Sequence, residues 1–163
     1  MDDAPETSDA SAAPDDRPGD TVAAVLDAAS LVPQDALVAL MIATSMSDEH
    51  VRTAELLQIT AILGNLPVFA AYDPGRVSGV SRLVAALLEE EDGLDRLFDL
   101  VRDVLPDRLR ETAYALACDV AAADSRVTEP EGRMLEEIRE ELEIDRLHAA
   151  AIERGTRARY MRA

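Results

Sequence analysis

Tryptophan is absent from this chain, and phenylalanine and tyrosine together reach only 3%. Any core must therefore be filled by aliphatic side chains and alanine. Hydrophobic residues make up 48%, enough for such a core in 163 residues. There is a single cysteine, Cys118, so no intramolecular disulfide can form. That suits a reducing compartment, and a cytoplasmic location is expected. Basic residues are outnumbered 16 to 33, leaving a net charge of −17. This argues against a nucleic-acid footprint and against attraction to anionic lipid. It favours cationic partners or metal ions. The longest strongly apolar run, Ala36 to Met46, is too short to cross a bilayer. No basic n-region precedes an apolar h-region near Met1, so no signal peptide is expected.

Two-residue alternation rich in Val, Ile and aromatics is missing as well. Helical spacing takes its place, and the sequence predicts an all-α domain of about seven or eight helices. Residues 1–19, rich in Asp, Pro, Ala and Ser, offer little to bury and are expected to be a disordered acidic leader. The domain is expected over 20–163. Asp20 is a candidate cap for a first helix through Val22, Val25, Leu26 and Ala29. Pro33 suits the start of the next, apolar nearly all round to about residue 46. Further helices are expected over about 53–63, 77–91, 94–104, 106–121 and 129–142, with a last one near Ile144–Ile152. Gly64 and Gly93 are read as helix stops.

Two short acidic stretches organise the pattern. Asp48, Val51 and Glu55 recur as Asp124, Val127 and Glu131 at an offset of 76. The same offset pairs Ala39 with Ala115, Leu40 with Leu116, Ile62 with Ile138 and Leu66 with Leu142. Chance would give roughly two matches over that span at ordinary residue usage. The chain thus carries an internal helix–loop–helix duplication.

Each acidic loop follows the C-terminal end of an apolar helix, where unpaired carbonyls gather partial negative charge. An Asp there and a Glu opening the next helix make an oxygen-rich pocket of the kind divalent cations accept. The candidate metal ligands are Asp48, Glu55, Asp124 and Glu131. A competing account needs no ion: Thr128-Glu129-Pro130-Glu131 has the form of a capping box. Arg52, at the equivalent cap position of the first copy, is no capping residue, so Glu55 is less easily explained in that way.

Other chemistry finds no support. Neither loop is an EF-hand, since Leu135 occupies the twelfth position of the second. Asp145 and His148 resemble half of a di-iron motif whose second half is missing. There is no phosphate-binding loop and no nucleophile elbow. Cys118 is read as core, His148 as surface, and His50 as at most a side ligand.

At these residues the chain resembles the tellurite-resistance TerB-like family. The match is clearest from Leu116 to Glu131, where an alanine-rich helix runs into Ala-Asp-x-x-Val-x-x-x-Glu. The copy at Ala39–Glu55 is weaker, and the likeness extends over about 33–153. The family usually places Gly after the Asp, and here Glu49 and Ser125 stand there. The resemblance implies a duplicated all-helical domain with a metal site at Asp48, Glu55, Asp124 and Glu131. It implies a non-enzymatic role in stress or tellurite-resistance systems, with a protein partner that is membrane-associated. Two rivals remain: an acidic protein-interaction module without metal, and a metal-dependent hydrolase using the same carboxylates.

Overall fold

A computed structural model describes residues 30–47, 53–123 and 126–163. The expected leader over 1–19 and the helix expected from Asp20 lie outside these residues. Within them the chain forms seven α-helices and no strand. They are α1 Pro33–Ser45, α2 Thr53–Asn65, α3 Val77–Leu88, α4 Gly93–Val104, α5 Arg110–Ala121, α6 Glu129–Glu141 and α7 Arg146–Arg159. Single 3-10 turns stand at Pro67–Phe69, Pro74–Arg76 and Asp107–Leu109.

The duplication is visible in the helix bounds. Shifting α2 by 76 residues lands on the first and last residues of α6. The first helices of the two copies, α1 and α5, pack against each other at the centre. Each second helix then packs on both of them, α2 onto α5 and α1, and α6 onto α1 and α5. This packing from both sides buries both apolar helices. Every residue of α1 from Asp35 to Ser45 is buried. Its two hydroxyls are satisfied within the helix, Thr44 Oγ1 donating to Leu40 O at 2.8 Å and Ser45 Oγ to Ile42 O at 2.9 Å. In α5, Ala113, Leu116, Ala117 and Val120 are buried as their spacing predicts.

The hairpin α3–α4 covers α1. Val80, Val84 and Leu87 face Leu97, Phe98 and Val101 in the core. The last helix, α7, lies on α5.

Two local readings change. Gly64 does not end α2, which runs on to Asn65, and among the described residues no glycine has a positive φ. Gly93 does not terminate α3 but opens α4, and close approach to the end of α3 is what requires it. The inward stripe of α7 is Ala149 and Thr156 with Ile152 beside them, while Leu147 is 76% exposed. The phase is set by Asp145, whose Oδ1 accepts from the amides of Leu147 at 2.8 Å and His148 at 3.3 Å. Those two amides hold the Asp145 carboxyl below its ordinary value. Asp145 is an N-cap, and it turns Leu147 outward.

Candidate functional site

Four helices carry an acid at their third position; Asp95 of α4 is exposed, and the other three are buried. The buried acid is Asp35 in α1, Glu55 in α2 and Glu131 in α6. All three are 1% exposed, although carboxylates are among the side chains least often buried. The first turn of a helix presents unpaired amides and partial positive charge, which explains why acids can sit there.

Glu131 is held by the capping box that the sequence suggests. Its Oε2 accepts from the Thr128 amide at 2.6 Å and from the Thr128 hydroxyl at 2.9 Å. The Thr128 Oγ1 accepts in turn from the Glu131 amide at 3.4 Å. Capping therefore engages one carboxylate oxygen, Oε2. The two accounts of Glu131 are compatible: one oxygen can cap while the other faces a cation. Thr128→Ala should cost about 1 kcal/mol in denaturant unfolding, the usual loss for an N-cap. Glu131→Gln should be nearly silent in chelator, because Gln also completes the box. A Thr128→Ala variant as stable as the parent would remove the box as a source of stability.

Glu55 occupies the same position in α2, following the first acidic loop. Asp48 and Asp124, the two loop aspartates, lie outside the described residues. Among the described residues no group of three or more His, Cys, Asp or Glu side chains gathers at one point. His148 is exposed and pairs through Nδ1 with Glu111 Oε1 at 2.7 Å, far along the chain from either loop. His50 is outside the described residues.

Asp35 is the acid that the sequence reading passed over. Its carboxylate accepts from Tyr72 Oη at 2.8 Å, from Arg76 Nε at 3.1 Å and Nη2 at 2.6 Å, and from the Val32 amide at 2.8 Å. Arg76 Nη2 also reaches the Ser30 carbonyl at 3.0 Å. Burial pushes the Asp35 carboxyl upward, but Arg76, the Val32 amide and the Tyr72 hydroxyl outweigh it and hold it below its ordinary value. This network ties the start of α1 to the start of α3. A Pro-x-Asp opening, Pro33-Gln34-Asp35, was the available signal. The partner cation stands 41 residues away in the chain, and no spacing rule reaches that far.

The second half also holds an open cleft of about 780 Å³. Its lining includes Tyr114 and Cys118 from α5, Ala122 just past its end, Leu135 from α6, and Tyr160 and Met161 beyond α7. The Tyr114 hydroxyl donates to Glu153 Oε1 at 2.6 Å. Cys118 is 3% exposed, and burial together with the charge of Glu153 pushes its thiol up to about 12. At neutral pH it stays protonated, the wrong state for a nucleophile. Cys118 thus fills core and lines the floor of a cleft that its place in the sequence did not announce.

Two copies of one helix–loop–helix, packed about a central apolar helix pair, each place a buried Glu after an acidic loop. The sequence model of the family described as "Tellurite resistance protein TerB" matches residues 34–154, about three quarters of the chain. The chain belongs to the TerB family. No curated protein and no solved structure matches it. The family match begins one residue inside α1 and ends within α7, so the TerB region spans all seven helices. No helix of the described residues is long and apolar enough to cross a membrane.

Proposed function

We propose that this TerB-family chain binds a divalent cation through its two acidic loops, as a non-enzymatic module of a tellurite-resistance-like stress response. The observation that carries the reading is the pair Glu55 and Glu131. They are equivalent by the internal repeat, sit at the third position of α2 and α6, and are each 1% exposed. A capping role alone does not need both carboxylates withdrawn from water. Asp48 and Asp124 would supply the second carboxylate of each loop. A bound cation would offset the charge that these acids add to an already acidic chain, and would fix each loop against the helix that follows. The metal class is that of hard, oxygen-liking ions such as Ca²⁺, Mg²⁺ or Mn²⁺.

The protonated Cys118 thiol and the outward His148 supply no nucleophile and base pair, which supports a binding role over hydrolysis. Loops ordered by a cation would form a switchable surface for another protein, one working at the membrane or near it. A single thiol and a missing disulfide suit the cytoplasm.

A cation held at a hundred times its Kd should raise unfolding stability by about 2.7 kcal/mol. Asp48→Asn and Asp124→Asn should each reduce that gain, and Glu55→Gln should lower it while changing little in chelator. An unfolding midpoint that does not move with Ca²⁺, Mg²⁺, Mn²⁺ or Zn²⁺ would overturn the cation reading and leave the acidic interaction module in its place.

A further inference from the structure

We infer that the outer face of α2 is a self-association surface, on which a second copy of this chain docks across a two-fold axis. Leu57, Thr60, Ala61 and Gly64 follow one another at helical spacing and are all exposed. Leu57 is 64% exposed and the adjoining Leu56 52%. Between Glu55 and Asp73 the chain has no ionisable side chain except Tyr72, which is turned inward to Asp35. This is an uncharged strip on a protein of net charge −17.

The internal repeat supplies a control. The positions on α6 equivalent to Leu57, Thr60, Ala61 and Gly64 are Arg133, Glu136, Glu137 and Glu140. On one backbone design, the α6 face carries four charges where the α2 face carries none. Solvent does not demand an apolar face at that place, so its presence on α2 calls for a covering.

Charge and shape both select a second copy. Two strongly acidic chains repel one another over most of their surface, and a strip free of charge is where they can meet. An isologous contact must be self-complementary. Leu57 and Gly64 are equally distant from the midpoint between Thr60 and Ala61. An antiparallel crossing centred there sets Leu57 of each copy over Gly64 of the other. The space at Gly64 is open, with nothing within 4 Å of where a Cβ would stand. The large side chain thus meets the vacant one, twice, about small residues that let the backbones approach. A helix of 13 residues is only about 20 Å long, so the contact belongs to the small, reversible class of interfaces.

The test is sedimentation velocity of the full chain over a wide concentration range, at low and high salt. A monomer–dimer equilibrium should appear and should tighten with salt, which screens the repulsion. Leu57→Glu should weaken it at least about a hundredfold, because each dimer loses two buried leucines. Gly64→Leu, which fills the receiving space, should weaken it too. Ala61→Cys places a thiol beside the axis and should give disulfide-linked dimers with oxidised glutathione. Glu137→Cys, its equivalent on α6, should not. A chain that stays monomeric at its highest attainable concentration overturns the inference. So does a dimer indifferent to Leu57→Glu. A monomer that Leu57→Glu unfolds would mean the chain covers this face itself, which also overturns it.

Discussion

Replacing Arg76 with methionine should destabilise the protein by about 3 kcal/mol at neutral pH, the low end for breaking a buried ion pair. The substitution keeps much of the aliphatic stem and removes the fork that grips both oxygens of Asp35. The Asp35 side chain is fully buried, while that of Arg76 is 27% exposed. Loss of the arginine therefore strands a carboxylate, whereas loss of the aspartate leaves a guanidinium that can turn to water. Asp35→Asn should accordingly cost less than Arg76→Met, although both remove one partner of the same pair. Lysine should not rescue, since a point charge cannot hold both oxygens at once.

The effect should depend on pH with a definite sign. The folded-state pKa of Asp35 lies below its ordinary value, so the stability it contributes is present above the unfolded value of about 3.9. It is lost as pH falls through the folded value. Without Arg76 the carboxyl loses the largest of the groups that lower it and titrates higher than in the parent. The gap between parent and Arg76→Met should therefore be widest near neutrality, shrink as pH falls through the variant's higher value, and level off below the parent's lowered one. Denaturant unfolding at several pH values measures it, and a gap constant across the range would show that packing, not charge, links these residues.

How far the fold was legible follows from the range of the signals. Apolar spacing is local, and it located α1 to within a residue and α6 likewise. The repeat of Asp, Val and Glu at a constant offset was equally legible, and α2 and α6 share their bounds under that offset. The capping box at Thr128 was readable because both partners lie within one turn. What escaped depends on distance in space. The phase of α7 turned on whether Asp145 was a cap or a ligand. The Asp35–Tyr72–Arg76 network joins segments about 40 residues apart, and the cleft over Cys118 exists because α6 and α7 both lean on α5 but leave a gap between them. The glycines are the clearest case. Sequence reading treated Gly64 and Gly93 alike as stops, yet one points into open space and the other against a carbonyl.

That difference makes Gly93→Ala the most damaging of the conservative changes available. A Cβ on Gly93 would stand 2.6 Å from the Leu87 carbonyl carbon and closer still to its oxygen. Both atoms belong to the backbone, so no rotamer change relieves the overlap. The turn between the helices is held by Glu90 N donating to Leu87 O at 2.9 Å and Gly93 N donating to Glu90 O at 3.1 Å. To admit a methyl group, α4 must move away from the end of α3 and break this turn. Leu97, Phe98 and Val101 would then shift from their seats against α1 and α3. The expected cost is about 3 kcal/mol or more, at or beyond the top of the usual range for overpacking. Gly132→Ala is the matched control. It lies within α6 with nothing within 4 Å of the new Cβ, so it should gain about 0.5–1 kcal/mol from helix propensity and the unfolded chain. Thermal and denaturant unfolding of the two variants should move in opposite directions. A Gly93→Ala protein as stable as the parent would mean that the α3–α4 turn opens freely, and that the hairpin is not the rigid cover over α1 described above.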